Sequence, residues 1–381
     1  MSASRPIFLD YASTTPLDEE VLAAMMPYFT TYYGNASSKS HAFGWISEDA
    51  VEIARQEIAS FIACIKEELV FTSGATESIN LALRGITEPL AGLKNHIIAF
   101  ADEHRAVLDT LYDLEKRGYQ ITLLPVDTNG QINISDLVDA ITEQTLLISC
   151  MYANNETGVI HPVQKIGAIA KEKNKFFFCD ATQAFGKIPI NVQDDNIDMM
   201  AFSAHKIYGP KGVGALYIRR KDPRVMLTPQ ITGGSQERNL RSGTLNVAGI
   251  VGFGKAVARC KSNIITESER ITELRMFLER TCKEYLNITI QGEHTDRLPN
   301  ICNITLNDYE GSTLIPALCN KIAVSSGSAC NSGNTSGSHV LKAMELTKEQ
   351  MNKTFRISLG RMTTKEEIDL AIETIRLINN K

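Results

Sequence analysis

The sequence predicts an α/β protein, with a large domain built on a mainly parallel seven-stranded sheet and a smaller α+β domain beside it. Three observations carry this expectation. Seven short apolar runs between residues 67 and 220 alternate with helical patterns, the mark of βαβ units with helices on both faces of a sheet. After about residue 245 the texture changes to long helical patterns with isolated strand-like runs between them. The 381 residues are 43% hydrophobic and 22% charged, which suits two or three packed units and excludes disorder or a fibre.

The elements follow in order. EELVFT (67–72) is the first strand, and a helix follows from about Thr76 to Arg84. HIIAF (96–100) is the second strand, and RAVLDTLYDLEKR (105–117) reads as a helix. QITLLPV (120–126), TLLISCMY (145–152) and KFFFCD (175–180) continue the strands, with helices near 135–142 and 163–173. DMMAFS (198–203) and GALYIRR (214–220) complete the set. Further on, Thr266-x-x-Glu269 predicts the start of a long helix over 266–286, and Thr347-x-x-Gln350 and Thr364-x-x-Glu367 predict two more starts. Runs at 301–306 and 355–359 read as strands of the smaller domain.

Charge and cysteine usage narrow the function classes. Lys plus Arg is 39 and Asp plus Glu is 44, a net charge of −5, which disfavours direct nucleic-acid binding. None of the 8 Cys falls in a C-x-x-C, so zinc and dithiol-redox readings have little support. Cys64, Cys150, Cys179 and Cys319 sit among apolar or small residues and read as buried thiols in a reducing compartment. The N-terminal segment has no apolar core behind a basic start, and no run reaches the ~18 apolar residues of a spanning helix. The expected location is the cytoplasm, with no membrane partner. His41, His161 and His339 lack metal-ligand spacing and read as structural or loop residues.

Three features fall at the C-terminal ends of predicted strands, where open α/β sheets place ligands. In SGATE (73–77), Gly74 permits a tight turn, and the amides of the new helix with the Thr76 hydroxyl can cradle a phosphate. Asp180 ends the run FFFCD; it is either a cap for the following turn or a charge aimed at a cationic ring nitrogen. SAHK (203–206) sets Lys206 on a turn between two strands, where a desolvated amine could form a Schiff base. Together, a phosphate cradle, an acid and a lysine specify pyridoxal 5′-phosphate (PLP). Outside these, SSGSACNSGNTSGSH (325–339) is almost wholly Ser, Gly, Asn and Thr, so a mobile surface loop is expected. A cysteine in such a loop, Cys330, is a candidate reactive thiol.

From residue 8 to 361 the sequence resembles the cysteine desulfurases of the class V, fold-type I PLP-dependent family, close to the iron–sulfur-cluster and nitrogen-fixation types. The motifs are FLDYASTTP (8–16), GNASSKSHAFG (34–44), FTSGATESIN (71–80), DEHRAVLDT (102–110), NNETG (154–158), DATQAFGK (180–187), FSAHKIYGPKGVGALY (202–217), RSGTLN (241–246) and SSGSAC (325–330). The last is similar to the long-loop group. The resemblance implies a fold-type I transferase with a large domain over 15–258. Residues 1–14 and 259–381 would form the small domain, which carries the cysteine loop (325–339).

It also implies roles. Lys206 carries PLP and moves the substrate Cα proton. Asp180 pairs with the ring nitrogen, His104 stacks on the ring and serves in acid–base steps, and Gln183 meets the ring phenolate oxygen. Thr76, Ser203 and His205 bind the phosphate, with Thr244 reaching in from the other subunit of a homodimer. Arg356 clamps the substrate carboxylate with help from Asn155, and Cys330 accepts the sulfur. Three departures stand out. The stretch after Cys330 lacks a proline that relatives often carry, so a looser loop is expected. Ser235 and Asn239 stand where glycine is common, which bears on the local backbone. The chain ends at Lys381, short of a scaffold-docking tail in the housekeeping type.

The activity so implied is conversion of L-cysteine to L-alanine, with sulfur passing to Cys330 as a persulfide and on to an acceptor protein. Iron–sulfur cluster assembly, tRNA thiolation and DNA phosphorothioation are all open as destinations. The alternatives are a selenocysteine lyase or another class V aminotransferase, and a sulfur-pathway scaffold without chemistry.

Overall fold

The computed structural model describes residues 6–90, 92–310, 314–326 and 337–379. The chain opens with β1 (Ile7–Phe8) and the helices α1 (Glu19–Met25), α2 (Pro27–Thr30) and α3 (Ala42–Phe61). The predicted alternation follows: β2 (Leu69–Thr72), α4 (Ala75–Thr87), β3 (His96–Phe100), α5 (Arg105–Lys116), β4 (Gln120–Leu124), α6 (Ile134–Ala140), β5 (Thr145–Ser149), α7 (Val163–Glu172), β6 (Phe176–Asp180), β7 (Met199–Ser203) and β8 (Gly214–Ile218).

These strands form one seven-stranded sheet in the order β2-β8-β7-β6-β5-β3-β4. Pairing is parallel throughout except at β8, which runs antiparallel to both β2 and β7. The central strands β5 and β7 are buried at every position, whereas β4 at the edge is partly exposed. This explains the sequence texture: strands covered on both faces read as unbroken apolar runs. Several runs overshoot their strands, as TLLISCMY does, because apolar residues continue into the buried loops beyond the C-terminal strand ends.

The second half contains α8 (Val247–Tyr285), β9 (Ile288–Ile290), β10 (Ile301–Leu306), α9 (Leu314–Leu318), β11 (Ile322–Ala323), α10 (His339–Ala343), α11 (Lys348–Asn352), β12 (Thr354–Ser358) and α12 (Lys365–Asn379). A three-stranded antiparallel sheet runs β12-β10-β9, and β1 pairs in parallel with β11. The helix expected over 266–286 in fact begins at Val247, capped by Asn246. Thr266 sits inside it, and its hydroxyl donates to the Asn263 carbonyl instead of capping. A Ser or Thr can bond back into a continuing helix, so the local pattern alone did not mark a start. The other two signatures hold: Thr347 with Gln350, and Thr364 with Glu367, each exchange both capping bonds.

The long α8 joins two cores. Its first half packs Ile250, Phe253 and Val257 into the core on one face of the large sheet, and its second half packs Ile271, Leu278 and Cys282 into a core with β10, β12 and α12. Phe253 also meets Phe185 and Phe202, which stack at 4.3 Å. Phe202 lies four residues before Lys206, so this aromatic cluster stiffens the turn that carries it. Truncating Phe202 to alanine costs about 3–5 kcal/mol by the usual behaviour of large core aromatics.

The cysteines divide. Cys150 and Cys179 are buried as expected, and burial pushes both thiols well up. Cys64 is half-buried, and Cys319 is exposed at the end of α9. The apolar residues around Cys319 in the sequence belong to a short helix that buries only Leu314 and Leu318. His161 is buried against Asp102 at 2.8 Å, and His41 caps α3. Among the described residues, no helix is long and apolar enough to cross a membrane, and no group of three His, Cys, Asp or Glu is set to hold a metal.

Candidate active site

A cleft of about 570 Å³ opens at the C-terminal edge of the large sheet, between it and the β10–β12 sheet. The predicted residues His104, Thr76, Asn155, Asp180, Gln183, Ser203, His205, Lys206 and Arg356 all line it. Thr244 does not; it is exposed on the segment before α8. Cys330 lies outside the described residues.

One end of the cleft suits an anion. Gly74 precedes α4 with φ +154°, a conformation that favours glycine, and no side chain caps the first amides of the helix. The adjacent strand comes close enough that a Cβ on Gly214 would lie 2.7 Å from the Gly74 Cα. A 13-residue helix with uncapped N-terminal amides is a ready phosphate cradle. Thr76, Ser203 and Lys211 complete this end. His205 stands beside it, its Nδ1 3.1 Å from the Thr14 hydroxyl. Burial, with Lys206, Lys211 and Lys187 nearby, lowers its pKa to about 4. At neutral pH it is therefore an uncharged ring.

The middle of the cleft carries an acid and an amine. Asp180 ends β6, is buried, and its Oδ1 accepts from the Thr182 amide at 2.9 Å and the Thr182 hydroxyl at 2.5 Å. It caps its turn, as one of the two suggested roles has it, and it also lines the cleft. Lys206 ends the single helical turn after β7, and its Nζ donates to the Ala12 and Ser13 carbonyls at 2.5 and 2.8 Å. Gln183 Nε2 donates to the same Ala12 carbonyl at 2.9 Å. His104 caps α5, its Nδ1 accepting from the Ala106 amide at 3.1 Å. An accepting nitrogen carries no proton, so the neutral ring holds its hydrogen on Nε2. Behind it Glu103 is wholly enclosed and accepts from Ser149 at 2.8 Å; burial and then Asp180 push its carboxyl well above the usual range.

The other end holds Arg356, on β12. Its Nη2 donates to Asp10 at 2.6 Å and its Nη1 to the Asn155 carbonyl at 2.7 Å. Arg356 Nε and Asn155 Oδ1 are buried and, among the described residues, lack a partner. Polar atoms so placed call for a ligand, and a carboxylate fits a guanidinium.

The described stretches that flank Cys330 both dock at this cleft. The backbone of Ser325 exchanges hydrogen bonds with Arg356 at 3.1 and 2.7 Å. On the far side Ser338 donates to Glu156 at 2.5 Å, and His339 Nε2 donates to the Glu103 carbonyl at 2.8 Å. These anchors adjoin Asn155 and His104.

The family model for class V aminotransferases matches residues 7–370. The chain belongs to this family. It is 46% identical over 376 residues to a protein of Anaeromyxobacter sp. (strain Fw109-5) named cysteine desulfurase IscS, covering 97% of this chain and 93% of that one. Two solved structures share its fold closely. One, described as a NifS-like protein, is 35% identical with a TM-score of 0.89, over 98% of this chain and 99% of its own. The other, described as SspA in complex with cysteine, is 36% identical with a TM-score of 0.84, over 93% and 98%.

Sequence reasoning missed five residues at the site, from three segments. Asp10 and the Ala12–Ser13 carbonyls come from the N-terminal motif FLDYASTTP, which was legible as a motif but not as a wall of the cleft. Lys211 follows Lys206 within one glycine-rich turn. Lys187 closes the motif DATQAFGK and lies behind the cleft.

Proposed function

We propose that this chain is a PLP-dependent cysteine desulfurase, converting L-cysteine to L-alanine while sulfur passes to Cys330. The observation that carries the reading is Lys206 and Asp180 facing one cleft beside the uncapped N-terminus of α4. Bound there, PLP supplies an electron sink for the pair left when the substrate Cα proton is removed.

The protein's residues supply the rest. The α4 amides, Thr76, Ser203 and neutral His205 hold the phosphate. Asp180 keeps the ring nitrogen protonated, and Gln183 donates to the ring oxygen. His104 packs on the ring and serves in proton transfer. Lys206 anchors the cofactor and then moves a proton at the substrate Cα. Arg356 takes the substrate carboxylate, with Asn155 beside it. The Cys330 thiolate attacks the substrate sulfur. The Cβ–Sγ bond breaks, Cβ gains a proton, and the products are alanine and a Cys330 persulfide. No outside oxidant or reductant is needed. The anchors at Ser325 and at Ser338–His339 support the role given to Cys330, because Ser325 pairs with Arg356 of the cleft and Ser338 and His339 bond to the neighbours in sequence of Asn155 and His104.

The sulfur then passes to an acceptor protein, for iron–sulfur cluster assembly or another sulfur-transfer pathway, in the cytoplasm. The division into 15–258 and a small domain of 1–14 with 259–381 is part of this reading; the two cores joined by α8 support it. So is a homodimer. Phe29, Phe43, Trp45 and Ile53 on α2 and α3, and Tyr33 between these helices, expose half or more of their surface, an apolar face that suits a partner surface. Thr244, exposed and away from its own cleft, is free to serve a partner's.

Measuring alanine and persulfide tests the reading. The wild-type protein with PLP and L-cysteine should yield alanine and a persulfide on the Cys330 peptide. Cys330→Ser should bind PLP and yield almost no alanine. Wild-type rates from Cys330→Ser would replace the persulfide route with a thiol-independent lyase.

A further inference from the structure

The reaction above gives no task to Lys187, a cation beside the cleft. Lys187 follows Gln183 by four residues and is half-buried. Its Nζ donates to both oxygens of Gln183, to the main-chain carbonyl at 2.9 Å and to the amide Oε1 at 3.0 Å. On the other side, Gln183 Nε2 and Lys206 Nζ share the Ala12 carbonyl. An amide has a donor end and an acceptor end, and a flip exchanges them. A flipped Gln183 would set its NH₂ against an ammonium that has only donors, and its oxygen against the Ala12 oxygen. Both hydrogen bonds would become repulsions.

Keeping a lysine there is costly. Burial, then Lys206, then Arg356, lowers its pKa to about 7. The groups that face it are Lys206 from the turn after β7, Arg356 from β12 and the Cys260 thiol from α8. Tyr11, Tyr208 and Glu267 line the same small cavity. An apolar side chain would fill the space without that cost, but it could not choose the orientation of an amide.

We propose that Lys187 is a positioning residue that locks the Gln183 amide with its NH₂ toward Lys206, presenting a hydrogen-bond donor to the anionic ring oxygen of the cofactor. This rests on the PLP reading of the cleft. The lock is tightest below about pH 7, where Lys187 has no lone pair to accept a flipped NH₂.

The test uses the PLP-loaded full chain and reads the pH midpoint of the cofactor's absorbance change, not turnover. Lys187→Met removes the donor at similar length and deletes a nearby positive charge. The amide then keeps only the Ala12 carbonyl to orient it and donates less firmly to the ring oxygen, and both changes favour the protonated form of the chromophore. The midpoint should rise by about one unit. In a Gln183→Leu background the same substitution should move it by less than about half as much, because a residue that acts through Gln183 is non-additive with it. Lys187→Arg, which keeps a donor, should recover most of the wild-type midpoint. Equal shifts in both backgrounds would make Lys187 a through-space charge only and overturn the proposal, as would no shift in either. Were Lys187→Met not to fold, Lys187→Leu, which also lacks a donor, carries the same comparison. A wild-type protein that takes up no PLP would instead overturn the cofactor reading, and that outcome is visible before any variant is made.

Discussion

The two ends of the cleft are built from different materials. The anion end is made of helix amides, hydroxyls and a histidine kept neutral by burial, with Lys211 at its edge. Its parts sit at the ends of β2 and β7, two antiparallel neighbours of β8 in one sheet. The Arg356 end is made of one permanent charge, tethered by Asp10 and the Asn155 carbonyl from elements distant in sequence. Asp10 reaches it because its backbone bridges to Ser358, two residues beyond Arg356 on the strand. The difference separates two tasks. Fixed dipoles from one rigid sheet suit a cofactor that stays. A single guanidinium whose Nε has no partner among the described residues suits a carboxylate that arrives and leaves with each turnover.

The largest effect is expected where both tasks meet. Lys206→Ala removes the proposed covalent anchor and proton-moving base together, so turnover should fall by more than about 1000-fold. PLP should then wash out on dialysis. Retained colour with lost turnover would limit Lys206 to the chemistry and leave the anion end as the whole anchor.

Next comes the substrate end. Arg356→Lys keeps the charge and loses the fork, and kcat/KM should drop about 100-fold with PLP content unchanged. Loss of PLP in this variant would break the division between the ends. Asp10→Ala should raise KM about tenfold with kcat near wild type, because Arg356 loses its tether. A lower KM would make Asp10 a competitor for the guanidinium and not a support.

The smallest effect belongs to His205. Its folded pKa of about 4 lies below the ordinary 6.5, so on acidification the unfolded chain takes up the proton first. Stability from this group is full above about pH 6.5 and falls as the pH drops toward 4. His205→Gln should therefore lose less stability than wild type between pH 7 and pH 5, read as urea midpoints of the PLP-free protein. The difference will be modest, since the ring is only half-buried.

The same contrast decides what was legible in the sequence. The anion end is local: a strand, Gly74 and a helix start stand together in SGATE, and Lys206 follows β7 by three residues. Strand period and turn chemistry read such features directly. Arg356 is different. Alone it reads as a strand-edge charge, and its place depends on the β10–β12 register and a bridge to a segment some 346 residues away. Only the joint resemblance found it. The N-terminal helices α1 and α3 went unread, although Asp18 caps the first by accepting from the Glu20 amide. Their apolar residues are partly exposed, which blurs the helical period. Asn239 does take a left-handed backbone, φ +64°, where relatives often carry glycine, as do Glu237 and Arg238 beside it, whereas Ser235 does not. Burial of Glu237 against Arg55 at 2.7 Å and against the Phe71 amide at 2.7 Å holds that strained run in place. No local pattern reports a partner 182 residues away.

Among the described residues, Lys206 and Lys211 line the cleft and Lys187 lies behind it, and borohydride reduction of the PLP-loaded protein followed by peptide mapping distinguishes them. Lys206 shares the Ala12 carbonyl with Gln183 and faces Asp180 across the cleft; Lys187 is turned to Gln183 from behind, and Lys211 lies at the anion edge. The label should fall on the Lys206 peptide alone. A label on the Lys187 or Lys211 peptide, with Lys206 unmodified, would contradict the assignment of this cleft.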